Sequence, residues 1–181
     1  MSIRAGILLV LCEADAYGLQ IHGELEERTD RQGRINVGQI YSTLDRLSTA
    51  GLVQASGSTD DGLPLYGITP EGRSAAAEWL ADTDVDSASS WSDLTFKVQL
   101  ATSLGADPEA LVDGYRRAWR RALDGASADP SPAGLARRRL ADAALGWLSD
   151  LQALPGGLDG LRRPLRNERP RRGRRPAPTP E

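Results

Sequence analysis

The spacing of apolar residues changes period twice within the first eighty positions, and few folds accept that order of changes. Ile3, Ile7, Leu8, Val10 and Leu11 recur at intervals near three and four, which predicts a short helix over residues 2–13 that is buried on most sides. Tyr17, Ile21 and Leu25 recur every four residues while Glu24, Glu26 and Glu27 face elsewhere, so an amphipathic second helix is predicted over residues 16–28, with Asp15 as its cap. After a polar turn at 30–34, Asn36 is placed to cap a third helix that runs through Ile40, Leu44 and Leu47 to Ala50, and Gly51 closes it. The period then shortens. Residues 52–54 and 63–69 read as two strands joined by turn chemistry at 56–62, and Thr69 followed by Pro70 restarts a helix that reaches about Leu80. Three helices, a hairpin and a further helix predict a winged helix-turn-helix over residues 1–81, in a fold that is mainly α with a β-hairpin wing.

Residues 82–90 are short, polar and free of aromatics, as a linker is, and an all-helical second domain is predicted over residues 91–161. Leu94, Val98, Ala101 and Leu104 line one helix that stops at Gly105, and Asp107-Pro108 opens another with the face Leu111, Tyr115, Trp119 and Leu123. A loop containing Pro130 and Pro132 precedes a last helix, predicted from about Leu135 to Leu154. Within it Leu140, Ala144, Trp147, Leu151 and Leu154 follow a heptad spacing, a seam that wants another helix beside it. These five are the candidates for dimerisation, with an ordinary packing face inside one chain as the alternative. Residues 162–181 hold five prolines and eight arginines and almost no apolar side chains, so a disordered tail is predicted.

The formal net charge of −3 conceals an asymmetry. The tail sets eight arginines against Glu168 and Glu181, for +6, leaving −9 on residues 1–161; residues 1–80 carry six arginines and eleven acids, for −5. A nucleic-acid role must therefore come from local placement of charge and not from its bulk. The longest apolar run, residues 6–12, is far short of the ~18 residues that cross a bilayer, and no basic stretch of the kind found in signal peptides precedes it. A cytoplasmic protein without a membrane partner is expected. One cysteine, Cys12, excludes an internal disulfide, and with one histidine, His22, it makes no zinc set. Neither residue has an evident catalytic partner, and the sequence lacks a phosphate loop, a dinucleotide fingerprint and a nucleophile elbow. The chain reads as a non-enzyme without cofactor or metal.

A helix that enters the major groove of DNA needs short polar side chains on its outer face. The third helix supplies Asn36, Gln39, Ser42, Thr43 and Arg46 on its non-core side, with Gly38 leaving room for close approach. Asn or Gln can bond adenine bidentately, Arg can bond guanine, and the Ser, Thr and Tyr41 hydroxyls can donate to phosphate. The alternative is a merely solvated face of a core helix.

Three stretches carry a more specific signal. They are Ala16-Tyr17-Gly18-Leu19-Gln20-Ile21, then Gly38-Gln39-Ile40-Tyr41-Ser42-Thr43-Leu44-Asp45-Arg46-Leu47 with Ala50-Gly51-Leu52-Val53, then Gly62-Leu63-Pro64-Leu65-Tyr66-Gly67-Ile68-Thr69-Pro70-Glu71-Gly72-Arg73. In order and spacing they resemble the PadR family of bacterial transcription regulators, and the likeness extends more loosely through the helix holding Phe96 to the closing helix with its Trp-Leu segment. The resemblance implies a homodimeric winged-helix repressor that binds a palindromic DNA operator and is released by a small aromatic or drug-like effector. It adds Tyr17 and Tyr41 to the DNA-binding candidates and places Ser58, Thr59 and Gly62 in the wing. The wing departs from the family pattern, because its tip reads Ser58-Thr59-Asp60-Asp61-Gly62 where a basic residue is common. Two carboxylates there would oppose phosphates, so affinity is expected to lean on the third helix together with Arg4, Arg31, Arg34 and the arginine tail. Trp91 and Phe96 are the first candidates for lining an effector pocket between the two domains. The acidic balance of residues 1–80 leaves a rival reading open, a winged-helix protein-interaction module that no longer binds DNA.

Overall fold

The most apolar stretch of the chain becomes its central helix. In the computed structural model, which describes residues 2–31, 33–85, 90–126 and 128–166, α1 (Ile3–Glu13) buries Ile3, Ile7, Leu8, Leu9, Val10 and Leu11 around most of its circumference. A helix apolar on all sides has to be surrounded. Around it pack α2 (Gly18–Arg28), α3 (Val37–Thr49), α4 (Pro70–Ala81) and α5 (Trp91–Leu104). Strands β1 (Val53–Ser58) and β2 (Pro64–Ile68) form an antiparallel hairpin in which Val53 faces Ile68 and Ser58 faces Pro64. Three helices, a two-stranded wing and a returning helix make this unit a winged helix.

The wing is longer than its sequence suggests, since residues 56–58 continue β1 instead of turning. An irregularity between Ala55 and Gly57 absorbs the misfit, with Gly57 at φ +121°. α2 in turn starts later than expected. Ala16 is drawn into an antiparallel pair with Tyr66 (N···O 3.1 and 3.0 Å), which keeps the backbone extended and moves the cap position from Asp15 to Tyr17. α3 begins at the Asn36 cap and ends where Gly51, at φ +71°, takes the left-handed turn that lets the chain enter the wing. Thr69 closes the unit: its hydroxyl donates to Gly51 O and accepts from Gly72 N, tying the wing to α4.

α5 serves two cores. Phe96, Leu100 and Leu104 point into the cluster built on α1, while Leu94, Val98 and Ala101 belong to a second cluster with α6 (Pro108–Ala126) and α7 (Pro132–Gln152). A boundary at residue 91 therefore does not separate two cores. Phe96, Leu100 and Leu104 each stabilise the first core by roughly 1.5–3 kcal/mol, so α5 is a structural part of the winged helix. α6 and α7 run antiparallel, with Glu109 beside Gln152 at one end and Ala126 beside Arg138 at the other. α7 starts three residues before the expected Leu135, because Ser131 caps it through Gly134 N and Pro132 occupies its first turn.

The expectation of a disordered tail from residue 162 is corrected for its first part. After a short 3₁₀ turn (Asp159–Leu161), residues 162–166 run back onto α2 in an extended path held by hydrogen bonds to their backbone. Residues 167–181, and 86–89 of the expected linker, lie outside the described residues. No helix among the described residues is long and apolar enough to cross a membrane.

Candidate nucleic-acid interface

α3 divides cleanly into faces. Ile40, Leu44 and Leu47 are fully buried against α1 and α2, which fixes the roll of the helix and turns Gln39, Thr43 and Arg46 outward on one strip. With Ser2, Arg4 and Ala50 that strip lines a cleft of about 480 Å³ beside the N-terminus of α1. Two guanidinium groups, Arg4 and Arg46, thus flank an open polar groove. The adjacent strip, Tyr41 and Asp45, faces the wing, where burial and then the nearby Asp45 and Tyr41 push the Tyr66 hydroxyl above its ordinary range.

The expected DNA-binding residues separate into those free to reach outward and those already engaged. Gln39 and Arg46 are exposed, and Tyr41 is 38% exposed with its ring laid over Gly18. Ser42 and Thr43 return their hydroxyls to Gln39 O (3.2 and 2.6 Å) and can still accept from outside. Asn36 commits Oδ1 to Gly38 N (2.7 Å), so its amide caps α3 and is not available for bidentate base contact. Tyr17, at the start of α2, is only 8% exposed and so is buried instead of standing at the surface. Arg31 is likewise spent, donating to Ser92 Oγ and O at the start of α5 with its guanidinium 5.5 Å from the Phe96 ring.

At the wing tip Ser58 and Gly62 are exposed, with Gly62 at φ +79°. Thr59 is turned inward: its hydroxyl donates to Asp61 Oδ1 (2.5 Å) and accepts from Leu63 N (3.0 Å), and its backbone closes the turn with Gly62 N (2.8 Å). The tip is a self-bonded acidic turn, with Asp60 exposed on it.

The aromatic candidates are rearranged. Phe96 is 1% exposed in the α1 core and lines none of the described clefts. Trp91 is 41% exposed and stacks obliquely on Trp147, with ring centroids 5.5 Å apart. Trp147, read from the sequence as part of the helical seam, is the side chain that reaches a cleft. That cleft, about 510 Å³, is walled by Arg28 of α2, Gln99 and Thr102 of α5, Leu151 of α7 and Arg163. Of the remaining seam residues, Ala144 is fully buried inside its own chain, Leu140 and Leu151 pack partly against the same cluster, and Leu154 stays 42% exposed. His22 bonds Ile35 O (2.8 Å), which braces the turn before α3, and burial raises the Cys12 thiol against a smaller opposing effect of Arg73. No group of three or more His, Cys, Asp or Glu side chains among the described residues is arranged to hold a metal.

Residues 7–78 match the Transcriptional regulator PadR-like family, a span that begins in α1, takes in α3 and the wing, and ends in α4. These residues, less than half of the chain, are similar to that family. The family's description is that of transcriptional regulators, and the exposed face of α3 lies in the part of the chain that carries the match. No curated protein matches the chain. Among solved structures, a transcriptional regulator from Clostridium thermocellum is 28% identical, covering 42% of this chain and 75% of its own, with a TM-score of 0.40. Bacillus subtilis PadR in complex with operator DNA is 16% identical over 81% of this chain and 96% of that one, TM-score 0.43. The same protein in complex with p-coumaric acid is 16% identical over 84% and 97%, TM-score 0.41.

Proposed function

We propose that this PadR-like regulator is a homodimeric repressor that reads an inverted-repeat operator through α3 and is released by a small aromatic or drug-like effector. The observation that carries the reading is the outer strip of α3, where Gln39, Thr43 and Arg46 face solvent together beside Arg4 while the opposite face is locked into the core. Gln39 and Arg46 supply the two side-chain chemistries suited to adenine and guanine edges, and Arg4 and the α1 N-terminus supply phosphate contacts. Two copies related by two-fold symmetry set half-site centres about 34–36 Å apart or a multiple of it. Leu154, Trp91 and the outer edges of Leu140 and Leu151 are the apolar surface from which a second copy is built. The effector occupies the cleft walled by Trp147, and it acts by favouring a separation of the two α3 helices that no longer fits successive major grooves.

The test is enrichment of duplexes from a random pool followed by sedimentation of the complex. A shared inverted repeat bound by two chains is the expected result. Failure to enrich any sequence at physiological salt contradicts it and favours the rival, an interaction module, for which the −5 balance of residues 1–80 and the acidic wing speak.

A further inference from the structure

The outward side of α3 carries one anion, Asp45, that no cation or donor engages. Asp45 is exposed, and its carboxylate has neither an ion pair nor a hydrogen bond among the described residues. Its place follows from the roll of the helix. At about 100° of rotation per residue, the fully buried Ile40, Leu44 and Leu47 put Gly38, Ser42 and Thr49 on the strip opposite the core. All three are exposed and small, and the two hydroxyls donate back into the helix, Ser42 to Gln39 O (3.2 Å) and Thr49 to Asp45 O (2.9 Å). This crest has little side chain to hold the helix off the floor of a groove. Arg46 stands on one edge of it, lining the cleft beside α1, and Asp45 stands on the other, where its charge is felt at the Tyr66 hydroxyl of the wing.

An ionised carboxylate accepts hydrogen bonds and cannot donate them. Brought into the groove of a duplex it is repelled by the phosphates on both sides, and only a base that presents an amino group offsets that cost. In the major groove cytosine presents its N4 amino group alone. Adenine sets its N6 amino group beside the N7 acceptor, guanine shows two acceptors, and thymine shows an acceptor and a methyl group. Cytosine is therefore the base that an acceptor-only side chain fits. The next residue sharpens the match. Arg46 carries donors only, suited to guanine O6 and N7, and a G·C pair sets two acceptors on one base beside a donor on the other. An anion and a cation at successive positions, on the two edges of one crest, complement that pattern.

We propose that Asp45 selects a cytosine in each half-site, next to the guanine bonded by Arg46, and rejects sequences that put an acceptor there. The proposal rests on the DNA-binding reading of α3 and adds to it a residue that contributes discrimination at the expense of affinity. Duplexes are enriched from a random pool by the natural chain, by Asp45→Ala and by Asp45→Asn, and base preference is compared column by column. Asp45 is exposed and both variants keep the backbone carbonyl that Thr49 uses, so their melting curves are expected to match that of the natural chain. The natural chain is expected to show one column per half-site in which cytosine is favoured by about fivefold or more. Asp45→Ala is expected to flatten that column alone, and Asp45→Asn to admit adenine to it, since an amide both donates and accepts. With a repelling charge removed, both variants are expected to bind scrambled duplex at least as tightly as the natural chain does. No cytosine column in the natural chain, a column held to cytosine in either variant, or a loss spread evenly over all columns overturns the role of Asp45 and leaves the α3 reading standing. Failure of the natural chain to enrich any sequence overturns that reading and this proposal together.

Discussion

Gly18 and Tyr41 show how a single backbone position can shape the reading face. A Cβ at Gly18 would lie 2.6 Å from Tyr41 Cε1, closer than any side chain tolerates. Because Tyr41 is 38% exposed, its ring can swing outward, so Gly18→Ala is expected to move the melting temperature by about 2 °C or less. Under the proposed reading duplex affinity is expected to fall severalfold, since the displaced ring moves the Tyr41 hydroxyl, a candidate phosphate donor. A variant that melts much earlier yet binds as before contradicts this. At the opposite extreme, a Cβ at Gly72 would lie 2.1 Å from Leu52 O, a backbone atom that cannot swing away. Lys97, the chain's one lysine, is also set by its surroundings: its ammonium donates to Asp82 O and lies 4.6 Å from the Trp79 ring and 5.6 Å from that of Tyr115. Burial, partly opposed by Asp82, pulls its pKa down to about 8 from 10.5. Between those values the unfolded chain binds more protons than the folded one, so stability rises with pH. The contribution is absent below pH 8 and complete only above the unfolded value. Relative to Lys97→Met, the natural chain is expected to gain about 1–2 kcal/mol between pH 7.5 and 9.5 in chemical unfolding. A difference that stays flat contradicts the assignment. Tyr115, pushed up to about 12 by burial first and Asp82 second, works in the opposite direction only above pH 10.

Elements whose signals are local were legible in the sequence, and those defined by a distant partner were not. The core face of α3, its Asn36 cap and the Thr69-Pro70 start of α4 follow from spacing and capping chemistry alone. The same chemistry marks Ser131-Pro132, but the neighbouring Pro130 made that stretch read as loop, and α7 lost its first turn. Asn36 had two readings, cap and base reader, and the helix N-terminus took the side chain. The second face of α5 was hidden for another reason. Phe96, Leu100 and Leu104 are spaced by four, but nothing in the sequence says that they meet α1 while Leu94 and Val98 meet α6 and α7. Gly6 carries the trace of that meeting, since a Cβ there would lie 3.2 Å from Phe96 Cζ and 3.5 Å from Leu100 Cδ2. Residues 162–166 left no readable pattern, because the hydrogen bonds from Arg28, Glu24 and Gln20 that fix their path run to backbone atoms. If α5 completes the winged helix, a fragment of residues 1–106 is expected to unfold cooperatively in denaturant, and one of residues 1–85 to lack a cooperative transition or to be weaker by about 4 kcal/mol or more. Equal stability of the two fragments contradicts a shared helix.

At the scale of the whole molecule, charge and shape point the same way. The body is acidic, yet Arg4 and Arg46 both line the α1–α3 cleft, and Asp60 and Asp61 are gathered at the wing tip. Under the proposed reading, an acidic wing limits how much affinity comes from phosphate contact, which raises the share that base contacts by α3 have to supply. The buried Glu24–Arg28 pair joins α2, the end of α5 and the returning segment through groups that are costly to leave unpaired. Under the proposed reading, an effector seated against Trp147 would touch that same joint, because Arg28 and Arg163 wall its cleft. The account stands on sequence being read by α3. Its most direct test is the ratio of affinities for enriched and scrambled duplex at one fixed salt concentration, compared between the natural chain and the folded double variant Gln39→Ala, Arg46→Ala. Removing a side chain that bonds a base edge costs about 1–3 kcal/mol of discrimination, so the ratio is expected to collapse by about 30-fold or more while scrambled-duplex affinity changes far less; a ratio left intact would mean that α3 is not the reader.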